Sequence, residues 1–171
     1  PDSEKWLRMW LPGAILSRLA AGTGLSDLVG ELRRVSTVFV KLPISLGESF
    51  DLAPAQAVIA AIQRGVYRYD GSIDKISVDE KGAVLIACFG VPPMSHADDP
   101  LRSVQAALQI RNNLKELGQT TSIGVATGQV FCGMVGNHHR AEYTVLGPAV
   151  NLAARLMEAS SLETPAQHAY K

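Results

Sequence analysis

The stretch that most constrains this chain runs from Glu142 to Met157 and reads EYTVLGPAVNLAARLM. Tyr143, Val145 and Leu146 predict a short strand, and Gly147 opens a turn after it. Pro148 stands where a first helical residue belongs, with φ already set and a missing N–H that the first turn does not need. The helix that follows projects Asn151 and Arg155 one turn apart on the same face. Val150, Leu152, Ala153, Ala154 and Leu156 spread apolar surface over the remaining faces, which predicts a largely buried helix. A neutral amide and a guanidinium then leave that helix side by side. The bland alternative is a helix whose Asn and Arg reach solvent or cap a neighbour.

With 171 residues and 47% hydrophobic content, the chain has enough apolar mass for one good core, so one domain with an appended element is expected. Sixteen basic residues balance sixteen acidic ones, and no basic stripe is present, so a nucleic-acid surface is not expected. No run approaches the ~20 apolar residues of a membrane span. Cys88 and Cys132 both lie in apolar, strand-like runs. They read as buried free thiols in a reducing compartment, which points to the cytoplasm. The chain begins at Pro1 with no signal-peptide pattern, as an excised domain would.

Residues 4 to 20 form an amphipathic pattern with Trp6, Trp10, Leu7, Leu11, Ile15, Leu16 and Leu19, interrupted at Pro12-Gly13. Residues 1–30 are therefore read as a helical connector and 31–171 as the main domain. Val35 to Leu42 is a continuous β-branched and aromatic run, typical of a strand covered on both faces. A helix from Pro54 carries Val58, Ile62, Val66 and Tyr69 at helical spacing. Asp70-Gly71 and Glu80-Lys81-Gly82 bound a strand, Ser72 to Val78, that forms a hairpin with Ala83 to Val91. Asp98-Asp99-Pro100 opens a second helix with Leu101, Val104, Leu108, Leu114 and Leu117, and Gly118 stops it. In Thr121 to Val135, Thr127-Gly128 reads as the turn between two strands. The order is β-α-β-β-α-β, then an extra strand and the Asn/Arg helix. That is a ferredoxin-like α+β sandwich with additions.

The spacing T-V-x-G-x-x-V-N-x-A-x-R, together with the glycine-rich segment SIGVATGQVFCGMVG, resembles the class III nucleotidyl cyclases. The likeness runs from about Arg33 to Met157 and is similar to the second (C2-like) of the paired catalytic domains of bicarbonate-responsive soluble adenylyl cyclases. The resemblance implies that Asn151 orients the ribose and that Arg155 neutralises charge on the α-phosphate during attack by the 3′-hydroxyl. It also implies that Lys75 reads the base with Thr144 as its partner. An ammonium and a hydroxyl suit adenine N1 and N6, whereas the family's guanine readers carry Glu and Cys, so ATP is expected over GTP.

The family holds two metal ions, Mg or Mn, on a pair of Asp residues. Here Lys41 and Ala83 occupy those positions, with Asp79 and Glu80 read as an inserted turn. The resemblance therefore implies half of an adenylyl cyclase site. A second cyclase domain supplies the metals, ATP becomes 3′,5′-cyclic AMP and pyrophosphate, and the isolated domain is inactive or nearly so. Lys41 would line a degenerate second cleft suited to a regulatory anion such as bicarbonate. Two alternatives stand beside this: a non-catalytic nucleotide- or anion-binding domain that pairs with a true cyclase, and a ferredoxin-like interaction module. After Glu158-Ala159-Ser160 the family's Pro-Gly turn and further strand are missing from SLETPAQHAYK, so the C-terminal end reads as incomplete or gapped.

Overall fold

Val35, Ser36, Thr37 and Val38 are all buried in succession, which only a strand covered on both faces and flanked on both edges permits. The computed structural model describes residues 30–44, 50–79, 82–137, 139 and 141–163, with single positions 16, 20 and 22. The predicted N-terminal connector lies outside the described residues apart from Leu16, Ala20, Gly22 and Gly30, and so do Glu80 and everything from position 164 onward.

Among the described residues, five strands and three helices follow in the order β1 (Glu31–Lys41), α1 (Leu52–Tyr67), β2 (Ser72–Asp79), β3 (Gly82–Phe89), α2 (Asp99–Glu116), β4 (Ile123–Gly136), β5 (Ala141–Leu146) and α3 (Pro148–Glu163). The sheet order is β2-β3-β1-β4-β5, and every pairing is antiparallel. The first four strands with α1 and α2 make the expected ferredoxin-like arrangement, and β5 extends it beside β4. The strand-turn-helix read from Tyr143 onward is present, with the strand beginning two residues earlier, the helix starting at Pro148 as read and continuing past Met157 to Glu163.

Asp51 caps α1 by accepting from the Ala53 N–H at 3.0 Å, and Val58, Ile62 and Val66 enter the core as their spacing predicts. Tyr69 lies past the helix but packs on the same cluster. That cluster joins Val38, Val40, Leu85 and Phe89 of the sheet to α1 and to Ile110 and Leu114 of α2. Thr37 points the other way along β1, and its hydroxyl donates to the Ala149 carbonyl of α3 at 3.3 Å. Helix α3 thus covers the opposite sheet face.

Three expectations are corrected. Thr127-Gly128 is no turn: β4 is a single strand of 14 residues, and Thr127 and Gly128 pair with Ser36 and Val35 in its middle. The glycines there make room for a helix. A Cβ on Gly124 would overlap the Ala153 carbonyl and the Met157 amide of α3, and one on Gly128 would lie 3.0 Å from the Ala149 methyl. Nor is α3 largely buried. It seats a narrow strip of Ala149, Ala153 and Met157, while Leu152 and Leu156 stay 51% and 43% exposed. Of the five leucine and valine positions expected to face the core from α2, only Leu114 is buried, and Leu117 lies just past the helix end. The core face is instead Ser103, Ala106, Ile110 and Asn113, with the Asn113 amide satisfied by the Ala61 carbonyl at 2.9 Å. Small side chains bring α2 close to α1, where a Cβ on Gly65 would meet Ile110 at 2.6 Å.

Candidate active site

Strands β2 and β5 are the two edges of the sheet, yet a side chain from each meets the other. Lys75 Nζ donates to Thr144 Oγ1 at 3.1 Å, across 69 residues of sequence. Three strands separate them in the sheet order, so the sheet must curl for these side chains to meet. Thr144 is 6% exposed, on β5 two residues from Glu142, whose carboxylate takes Lys75 Nζ at 3.4 Å. The register of β2 against β3 shifts between Ile73 and Lys75, and the intervening Asp74 puts its carboxylate 3.8 Å from Lys75 Nζ. Beside them, Val35, Cys88, Cys132 and Val145 belong to a second core cluster. Both cysteines are free thiols, and burial, reinforced by the nearby Asp74, pushes the Cys88 thiol well up.

Asn151 and Arg155 lie on α3 one turn apart, and both are exposed. Between and beside them stand the half-exposed Leu152 and Leu156, so the amide and the guanidinium rise from an apolar surface. This is the open flank of a helix whose other flank rests on β4 and β1.

Lys41 ends β1 paired with Val84, and the Leu42 N–H donates to the Ala83 carbonyl at 2.8 Å. The two positions expected to replace metal ligands are therefore neighbours. An exposed ammonium and a buried methyl provide no oxygen donor, so this pair does not fit a metal ion. Among the described residues, no three His, Cys, Asp or Glu side chains converge as a group able to hold one. Asp79, read as part of an inserted turn, is instead the last residue of β2, paired with Gly82. It shares with Lys41 and Glu158 the wall of a cavity of about 470 Å³ between the sheet and α3.

Residues 33–165 match the family model described as the adenylate and guanylate cyclase catalytic domain. The chain belongs to this family of class III cyclase catalytic domains. Human adenylate cyclase type 10 is 35% identical over 161 residues, and the rabbit protein of the same name is 34% identical over 166. Each match takes in 92% of this chain but 10% of the relative, so the chain spans about a tenth of those proteins. Among solved structures, a bacterial light-regulated adenylyl cyclase superposes with a TM-score of 0.79 at 21% identity, covering 95% of this chain and 50% of that one. The guanylyl cyclase Cya2 gives 0.62 at 25% identity, covering 76% and 72%. No helix among the described residues is long and apolar enough to cross a membrane.

Asp74 is the residue of this cyclase domain that sequence reasoning missed. Its side chain is 8% exposed, and burial raises its carboxyl to about 6, with Lys75 pulling it down and Glu142 pushing it up. A carboxyl raised in the folded state binds its proton more tightly there than in the unfolded chain. Its favourable contribution is present below the ordinary carboxylate value near 4 and is lost as pH rises through 6. Asp74→Asn is expected to remove that loss. Between pH 4 and 7 the wild-type chain should fall by about 2–3 kcal/mol relative to the variant in urea unfolding. Parallel stability profiles for the two proteins would contradict the burial of a titrating Asp74.

Proposed function

We propose that this domain is the base-, ribose- and transition-state-binding half of an adenylyl cyclase site, completed by a second, metal-bearing cyclase domain. The observation that carries the reading is the contact between Lys75 and Thr144 at 3.1 Å, which joins opposite sheet edges into one donor–acceptor pair. Adenine presents an acceptor at N1 and a donor at N6. Lys75 has N–H groups for the first and Thr144 an oxygen for the second. ATP is thus the proposed substrate, with cyclic AMP and pyrophosphate as products.

Asn151 would hold the ribose so that its 3′-hydroxyl faces the α-phosphate. Arg155 would donate charge-assisted hydrogen bonds to the α-phosphate oxygens as negative charge builds there. The half-exposed Leu152 and Leu156 suit a face that a partner domain covers, which would exclude water and strengthen those bonds. The Mg or Mn ions belong to the partner, since Lys41 and Ala83 present no ligand for them. The connector reading of residues 1–30 and the cytoplasmic setting belong to the same proposal.

A regulatory variant of this reading rests on the cavity at Lys41, where an anion such as bicarbonate would meet an ammonium. Asp79 and Glu158 line the same wall, so the site is of mixed sign rather than simply basic.

The test is cyclic AMP formation from Mg- or Mn-ATP by the chain alone and after mixing with a metal-bearing class III cyclase domain. Activity is expected only in the mixture, at least tenfold above either component. Strong turnover by the isolated chain would show that it carries its own metal ligands, with Asp79 as the first to re-examine. Silence in every mixture would favour the purely regulatory domain.

A further inference from the structure

A lysine ammonium has three N–H donors. In this chain three oxygens already surround the Lys75 ammonium: Thr144 Oγ1 at 3.1 Å, Glu142 Oε1 at 3.4 Å and Asp74 Oδ2 at 3.8 Å. The two carboxylates differ sharply in access. The Glu142 side chain is 51% exposed and the Asp74 side chain 8%. An incoming base can displace the first but cannot reach the second.

We propose that Asp74 is a positioning residue that fixes the Lys75 ammonium beside Thr144, while Glu142 is an exchangeable partner that occupies Lys75 until a purine base replaces it. This rests on the adenine-reading role of Lys75. Its physical basis is the contrast between the two ion pairs. The exposed Lys75–Glu142 pair is worth little and competes directly with the base for an N–H. The buried Asp74 holds one side of the ammonium without occupying the face open to solvent, so the remaining donors stay aimed at Thr144. The β-bulge between Ile73 and Lys75 is what sets two adjacent side chains against each other.

The arrangement makes base affinity depend on pH through Asp74. The titratable groups around it are Lys75 on its own strand, Glu142 on β5 and Cys88 on β3, with Cys132 of β4 behind Cys88. Protonation of Asp74 removes the buried counter-ion from beside the Lys75 ammonium and leaves Glu142 as its remaining carboxylate partner. Affinity therefore falls as pH drops below about 6.

The experiment is fluorescence titration with N-methylanthraniloyl-ATP of the wild-type chain, Asp74→Asn and Glu142→Gln, each mixed with a metal-bearing class III cyclase domain. At pH 7.5, Asp74→Asn is expected to weaken binding about fivefold to tenfold. Glu142→Gln is expected to tighten it about threefold. At pH 5.5 the wild type and Asp74→Asn should converge, and comparing the two cancels the titration of the nucleotide's own phosphates. Equal affinities of wild type and Asp74→Asn at pH 7.5, or a ratio that does not change with pH, would overturn the positioning role. Glu142 is exposed, so Glu142→Gln decides independently if Asp74→Asn fails to fold, and unchanged or weaker binding by it overturns the exchange. No binding by the wild-type mixture would overturn the base-site reading and this inference together.

Discussion

Replacing Arg155 by alanine is expected to lower cyclic AMP turnover about 10²–10³-fold in the mixture with a metal-bearing partner. The melting temperature of the chain should stay within a degree or two. Arg155 is exposed on the open flank of α3, and its removal leaves the strip of Ala149, Ala153 and Met157 untouched. A surface substitution of that kind is worth within about 0.5 kcal/mol of folding. The catalytic effect is large because the charge that Arg155 meets develops only as the 3′-hydroxyl attacks. Its loss should therefore appear in kcat with KM little altered. Arg155→Lys keeps the charge but loses the planar fork of donors, and an intermediate rate is expected. Turnover by Arg155→Ala equal to wild type would remove the guanidinium from the transition state. A rise in KM alone would make it a ground-state phosphate contact.

The strand-turn-helix from Tyr143 to Met157 was legible because its punctuation is local: Gly147 and Pro148 fix where the strand ends and the helix starts. What α3 rests on was not legible. A glycine beneath a helix and a glycine in a turn are the same letter, and Thr127-Gly128 reads locally as a turn although Gly128 pairs with Val35 inside β4. The α2 face failed for a related reason. Its leucines and valines at 101, 104 and 108 form an outer stripe, while Ser103, Ala106 and Asn113 pack inward beside Ile110 and Leu114. Closeness of approach to α1 decided that face as much as hydrophobicity did. The pairing of Lys75 with Thr144 joins edge strands that three others separate, which no local pattern encodes, so only resemblance to a cyclase connected them. Asp74 needed the β-bulge to become a buried neighbour of Lys75. A carboxylate directly beside a candidate base-reading lysine was the available signal.

The glycines of β4 lead to the second large effect. Gly124→Ala is expected to destabilise the chain by about 3 kcal/mol, the upper part of the overpacking range, because the added methyl meets backbone rather than a movable side chain. For a domain of this size that corresponds to a fall in Tm of roughly 6–12 °C. Gly128→Ala is the internal control. Its methyl would lie 3.0 Å from the Ala149 Cβ, a contact that a shift of a few tenths of an ångström relieves, and a loss of about 1 kcal/mol is expected. Both positions lie in β4 under α3, so strand propensity affects the two alike and the difference reports on how closely the helix sits. The consequence reaches the site. Ala153, whose carbonyl the new methyl would strike, lies between Asn151 and Arg155 on the same helix, and any outward shift of α3 carries both side chains with it. Gly124→Ala should therefore also depress turnover in the partner mixture well below its own Tm, about tenfold or more for a displacement near 1 Å. Thermal melts showing Gly124→Ala no less stable than Gly128→Ala would refute the close seating of α3 on β4.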